Sequence, residues 1–174
     1  MTRIGYLGFG TAAATADRVE ALRAGLRDLG YLEGKNIVID FRWAEGVDRL
    51  SEFAVELVRE NVDVIFATSS TEVQVAQHAT KTIPIVFSTH FDPVGSGHVA
   101  SLARPGGNVT GLAAVQTDFT GKSLEMLKDT LPHMKKIGVL WSPNAPHLPI
   151  LQAIEIAIAK MGVQVQLAPV LTVE

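Results

Sequence analysis

Apolar and polar positions alternate along the chain in a way that sorts it into strands and helices. Residues 3–7 form a short apolar run closing on Gly8-Phe9-Gly10, the pattern of a buried strand leaving into a loop. Asp17-Arg18-Val19-Glu20 has the spacing of a capping box. Val19, Leu22, Leu26 and Leu29 then share one helical face, and Gly30 and Gly34 stop the helix. Ile37, Ile39, Phe41 and Trp43 alternate with Val38, Asp40 and Arg42, which predicts an edge or half-covered strand. Asp48 is placed to cap a second helix carrying Leu50, Phe53, Ala54, Leu57 and Val58. Residues 63–67 predict a buried strand, and Thr68-Ser69-Ser70-Thr71 leads into a helix over 72–79. Residues 84–87 read as another buried strand opening into Ser88-Thr89-His90-Phe91-Asp92, and 109–115 as a fifth strand.

Strand and helix alternate throughout this part, so the expected fold is α/β: a doubly wound parallel sheet with helices on both faces and right-handed crossovers. A half-covered second strand suits the order 2-1-3-4-5, with that strand at the edge. Residues 92–111 then act as a pivot. Asp92-Pro93-Val94-Gly95 opens it, a short apolar helical turn follows, and Pro105 cannot continue a helix. Gly106-Gly107-Asn108 supplies positive-φ positions for a tight turn.

From about residue 116 the pattern restarts. Residues 121–134 predict a helix with Leu124, Leu127 and Leu131 on one face, and 137–141 a strand. Leu151, Ile154, Ile158 and Met161 mark a further helix before Val163, Val165 and Leu167 alternate with Gln164 and Gln166. Ile137-Gly138-Val139-Leu140 echoes Ile4-Gly5-Tyr6-Leu7. The expected organisation is a first lobe over 1–115 and the start of a second over 116–174, incomplete after its second strand and thin in core.

Composition narrows the function. A chain of 174 residues with 47% apolar residues and a net charge of −3 carries no basic stripe for nucleic acid. No apolar run approaches the roughly 20 residues that cross a bilayer. The lack of cysteine excludes disulfides, thiolate metal sites and a cysteine nucleophile. Met1-Thr2-Arg3 leads straight into a strand-like run, so neither a signal peptide nor a lipid-anchor cysteine is expected. His78, His90, His98, His133 and His147 include no pair at i, i+4, so neither a metal nor another cofactor is expected.

Ligands of open parallel sheets bind beyond the carboxyl ends of the strands, near the switch in strand order. That places Phe9, Gly10 and Thr11 with Ser69, Ser70 and Thr71 at the switch, and His90, Phe91 and Asp92 beside them. Trp141 and Asn144 would face them from the second lobe across a cleft. The Ser69–Thr71 loop opens a helix, whose free N–H groups favour an anion; ordinary N-capping explains the same residues. Asp92 suits a ligand ammonium or the start of an Asp-Pro turn. Phe9, Phe91 and Trp141 suit either a ring-stacking wall or core packing. His90 is expected in a loop facing the cleft.

Two groups of residues carry a family resemblance. One is Gly25-Leu26-Arg27-Asp28-Leu29-Gly30-Tyr31-Leu32-Glu33-Gly34-Lys35-Asn36 with Arg42-Trp43-Ala44-Glu45-Gly46; the other is the 92–111 stretch. Over most of residues 3–145 the chain resembles the ABC-transporter substrate-binding proteins, in the family whose better-known members take up aromatic amino acids. The resemblance implies type I periplasmic-binding-protein architecture and a periplasmic or other extracytoplasmic location. It also implies an ABC permease as membrane partner and a small solute such as tryptophan, tyrosine or phenylalanine, bound between lobes without chemical change. In that picture the Ser69–Thr71 loop holds the carboxylate, Asp92 or a second-lobe acid holds the amine, and aromatic residues wall the ring. Family chains are longer, so weak or absent binding by this chain alone is expected, with self-association through exposed apolar edges.

The enzyme rival is an NAD(P)-dependent oxidoreductase using Gly8-Phe9-Gly10-Thr11-Ala12-Ala13. A helix start near Asp17 lies too far from Gly10 to hold a pyrophosphate, and the second strand ends without an acid for a ribose. A hydrolase built on Ser69, His90 and Asp92 lacks a Gly-x-Ser-x-Gly elbow. A cytoplasmic ligand-sensing domain is the remaining rival.

Overall fold

The computed structural model describes residues 1–114, 116–141 and 148–170. The chain divides into two compact units, Met1–Ala113 and Ala114–Glu174. The first runs β1 (Thr2–Phe9), a 3-10 turn (Ala13–Thr15), α1 (Ala16–Asp28), β2 (Ile37–Ala44), α2 (Val47–Arg59), β3 (Val64–Ala67), α3 (Ser70–Ala79), β4 (Ile85–His90) and β5 (Val109–Ala113). Its strands form one parallel sheet in the order β2-β1-β3-β4-β5, as the alternation predicts.

Successive residues of a strand point to opposite faces, and here the two faces carry different cores. Leu7, Ile65, Ala67, Ile85, Phe87 and Val109 pack with Leu50, Ala54 and Leu57 of α2 and Val73 and Ala76 of α3. Ile4, Tyr6, Ile37 and Ile39 pack instead with Val19 of α1, flanked by Leu22, Leu26, Phe41, Trp43 and Phe66. On that second face an aromatic cluster forms: Phe41 stacks on Trp43 at 5.0 Å, and Tyr6 lies 5.7 Å from Phe66. Phe41 and Trp43 of β2 face α1, whereas its polar residues are tied elsewhere. Asp40 accepts from Arg3, and Arg42 pairs with Glu56 and Glu60 of α2 and its C-cap. This division explains why an edge strand alternates so cleanly.

Several boundaries differ from the sequence expectation, each for a local reason. Asp17 does not cap α1: a 3-10 turn over Ala13–Thr15 already starts the coil, Thr15 is the N-cap, and Asp17 lies in the first turn. Asp48 likewise lies inside α2, whose N-cap is the extended Gly46. Both acids still favour the positive end of the helix dipole without a capping hydrogen bond. Leu29, expected on the buried face of α1, is its C-cap residue and is 75% exposed. Of Gly106-Gly107-Asn108 only Gly106 takes a positive φ, +79°. The apolar stretch after Asp92 forms hydrogen-bonded turns, not a helix: Ser96 N–H donates to Asp92 O, and His98 and Val99 N–H both donate to Pro93 O. Gly111 has φ +154°, and a Cβ there would stand 2.2 Å from Phe87 O, so only glycine fits.

The second unit contains α4 (Gln116–Thr130), β6 (Lys136–Trp141), α5 (Leu148–Met161) and β7 (Gln164–Pro169), with β6 and β7 paired in parallel. Its buried core is small: Leu124, Ile158 and Val163, with Ile137, Ile154 and Met161 packed around them. Leu131, expected on the buried face of α4, follows the helix end and is exposed. Among the described residues no helix is long and apolar enough to cross a membrane.

Leu57 seats directly over Gly5: a Cβ on Gly5 would stand 2.9 Å from Leu57 Cδ2. Leu57→Ala is therefore expected to cost about 2–5 kcal/mol, and Gly5→Ala about 1–3 kcal/mol by overpacking. In the double variant the new methyl enters the space that Leu57 vacates, so the cost should fall below the sum of the single losses. Urea unfolding midpoints of the four proteins check this; strict additivity would contradict it.

Candidate functional site

The carboxyl ends of β1, β3 and β4 meet at the point where the strand order reverses. α3 starts there, and its N-cap Ser69 has extended backbone but makes no side-chain capping bond. Ser69-x-x-Glu72 has capping-box spacing, yet the geometry departs from that motif. The Ser69 hydroxyl donates not to the backbone of α3 but to the Glu72 carboxylate. Glu72 also accepts from the Thr68 hydroxyl at 2.6 Å and from Phe9 N–H at 2.8 Å. The carboxyl is only 1% exposed, so three donors converge on it where water cannot compete. One buried side chain thus ties the loop after β1 to the loop after β3. Sequence reasoning missed this residue as a site element; the Ser69-x-x-Glu72 spacing was the available signal.

Around this tie the expected site residues distribute unevenly. Phe9, 48% exposed, leaves β1 only about half covered, and Gly10 N–H donates to Ala44 O of β2. Thr11 Oγ1 accepts from Ala14 N–H, which commits it to the 3-10 turn. Ser70 is nearly buried and accepts from Phe91 N–H at 3.4 Å, linking α3 to the end of β4. Thr71 lies half-buried in the first turn of α3. The first-turn N–H groups beside it receive no side-chain cap from Ser69.

Asp92 takes the turn-forming alternative: its Oδ1 accepts from Gly95 N–H at 2.8 Å. A Cβ on Gly95 would lie 2.0 Å from Asp92 Oδ2, which accounts for glycine there. Trp141 ends β6 in the second unit, and its indole N–H is buried without a hydrogen-bond partner among the described residues. Asn144 lies outside the described residues.

His90 departs most from expectation. It is the last residue of β4, not part of an open loop, and is fully buried. A register shift between Phe87 and His90 returns its ring to the side of Phe87, 5.3 Å away. His90 Nδ1 accepts from Asp92 N–H, so its proton sits on Nε2 and is donated to His98 Nδ1 at 2.7 Å. His98 in turn belongs to the 92–99 turn, whose carbonyl at His98 accepts from Gln77 of α3. The two imidazoles therefore pin that turn to the sheet. Among the described residues no cluster could hold a metal ion.

A separate trough of about 750 Å³ runs along the α1 face over β3, β4 and β5. Tyr6, Leu22, Phe66, Val86 and Leu112 line its apolar part, and Thr68, Ser88 and Thr89 its polar end, with Arg18 at the side. It exists because the 91–108 connection between β4 and β5 contains no helix, while the α1 cluster extends no further than Val64 and Phe66 of β3. None of the sequence-predicted site residues lines it.

This arrangement defines a class: an α/β protein whose parallel sheet has its topological switch between β1 and β3. Comparison with known proteins makes the class specific. Residues 11–174 match the family model described as ABC transporter substrate binding protein, and the chain belongs to that family. It is 41% identical over 122 residues to the tyrosine-binding protein of Clostridioides difficile, covering 68% of this chain and 34% of that protein. A solved conserved domain protein from Vibrio cholerae is similar with TM-score 0.84 and 32% identity, covering 98% of this chain and 58% of the other. The ABC domain from Streptococcus pneumoniae, solved in complex with L-Trp, matches with TM-score 0.81 and 25% identity over 97% and 57%. The chain thus spans about a third of the curated relative and somewhat over half of these solved chains. None of these matches supports an oxidoreductase.

Burial lowers the pKa of His90 to about 4, with His98 adding to the effect and Asp92 opposing it; burial and His78 lower that of His98. Both rings are thus held neutral in the folded protein. Their contribution is fully present above the unfolded value of about 6.5 and is lost as pH falls toward about 4. Urea unfolding from neutrality to about pH 4 should show stability declining across this window, and His98→Gln should flatten the decline. An unchanged slope in the variant would contradict the pairing.

Proposed function

We propose that the chain forms the solute-recognising part of an ABC-type uptake system. It takes an amino acid with an aromatic side chain and releases it unchanged. The observation that carries this reading is the uncapped start of α3, set beside the exits of β1 and β4 at the switch point. Main-chain N–H groups of the first turn suit a carboxylate, with Ser69, Ser70 and Thr71 around them. Phe9, about half exposed, and Phe91 offer apolar surface on either side of that loop. Gly10 and Thr11 shape the β1 exit, and the Asp92 carboxylate and His90 border the β4 exit. Trp141 and Asn144 are proposed as second-lobe contributors. Two relatives support the ligand class: one is a tyrosine-binding protein and another was solved with L-Trp. An ABC permease is the proposed membrane partner, and the extracytoplasmic side the proposed location. Self-association through exposed strand edges, such as β5 with Leu112 73% exposed, belongs to the same proposal.

The test is an NMR titration of the 174-residue protein with millimolar L-tyrosine, L-tryptophan and L-phenylalanine. Backbone amides of Phe9, Ser70, Thr71 and Phe91 are expected to shift with the weak affinity that this length of chain implies, and Ser70→Leu to abolish the shifts in a protein whose circular dichroism is unchanged. Amides that stay fixed with all three amino acids would overturn the reading.

A further inference from the structure

We propose that Glu72 is a positioning residue that sets the hydrogen-bond polarity of the α3 site. It makes Thr68 and Ser69 acceptors toward the solute, so that they receive its ammonium group instead of donating to its carboxylate. The proposal rests on the solute-binding reading above and assigns a chemical sense to two of its walls.

A hydroxyl group has one proton to give and two lone pairs to receive with. The protons of Thr68 and Ser69 both go to Glu72, the former over 2.6 Å. Bonds of this kind to a carboxylate are roughly twice as strong as neutral ones, so a solute oxygen competes poorly for those protons. The Phe9 N–H, which would otherwise face the same gap, is committed to Glu72 as well, at 2.8 Å. The donors left at this end of the sheet include the main-chain N–H groups of the first turn of α3, which Ser69 does not cap, and the hydroxyls of Ser70 and Thr71. The hydroxyl oxygens of Thr68 and Ser69 and the helix start therefore present opposite polarity to a molecule lying between them. A zwitterion satisfies both; a simple acid or a simple amine satisfies one. This reverses the role that family resemblance implies for Ser69, leaving the carboxylate to the backbone with Ser70 and Thr71.

Glu72→Gln tests this, because the amide retains a carbonyl acceptor for Phe9 N–H and the Thr68 hydroxyl. Its NH2 then donates to Ser69, whose own proton must turn outward. The 174-residue protein is titrated with L-phenylalanine, phenethylamine, which lacks the carboxylate, and hydrocinnamate, which lacks the ammonium. The ratio of phenethylamine to hydrocinnamate affinity is expected to fall about tenfold in Glu72→Gln, the scale of one hydrogen bond to a charged group, and to stay near wild type in Glu72→Asp. An unchanged ratio in a folded Glu72→Gln protein would reduce Glu72 to a structural tie and overturn the proposal. If Glu72→Gln does not fold, Thr68→Val supplies the same test: phenethylamine affinity should drop while hydrocinnamate affinity holds, and equal losses overturn it. A wild-type protein that responds to none of the three compounds defeats the solute-binding reading and this proposal with it. Independently of any solute, slowly exchanging hydroxyl protons of Thr68 and Ser69 are expected in the proton NMR spectrum of the unliganded protein. Rapid exchange at both would overturn the assignment of donors.

Discussion

The central strands of a parallel sheet must be covered on both faces, and this requirement governs the first unit. β1 and β3 give one set of side chains to α2 and α3 and the alternate set to α1. Because the chain leaves β1 toward one face and β3 toward the other, the loops after those strands separate at their carboxyl ends. The gap so produced exposes polar backbone and needs something to hold its walls. Glu72 does this with three hydrogen bonds from the first turn of α3, so the covering of the sheet and the shape of the site have one origin. Leu57 over Gly5 shows how closely the α2 layer approaches the strands below it.

The fold was legible in the sequence because period-two and period-3.6 patterns report burial, and burial here follows the layers. The alternation of Ile37, Ile39, Phe41 and Trp43 with Asp40 and Arg42 marked β2 as an edge, and the sheet order agrees. Helix starts were less legible. Asp17 and Asp48 have capping chemistry, but whether an acid caps or merely lies in the first turn depends on backbone angles one or two residues upstream. The meeting of strand ends at the switch was legible, the hydrogen bonding there much less so. The β1, β3 and β4 exits could be named from topology alone, whereas the partners of Ser69, Asp92 and His90 are tertiary. His90 was misplaced because a register shift in β4 carries no signature in a run such as Phe87-Ser88-Thr89-His90.

The site and its surroundings differ in how they are held. At the α3 start a carboxyl gathers donors; at the β4 exit two neutral imidazoles share a proton between a strand and a turn. The first arrangement is charge-assisted, while the second depends on the rings staying uncharged in a buried place. On the outer face of the sheet, the trough over β3 to β5 marks where a crossover without a helix leaves apolar surface facing outward.

Gly111 illustrates how backbone packing restricts sequence change. With Phe87 O where any side chain would begin, substitution there would wedge β5 away from β4, whatever the chemistry of the newcomer. Its neighbour Leu112 faces outward and tolerates replacement on steric grounds. The last strand of the first unit thus pairs one position closed to variation with one open to it. Drift along this edge is then expected to recolour the surface while leaving the path of the main chain unaltered.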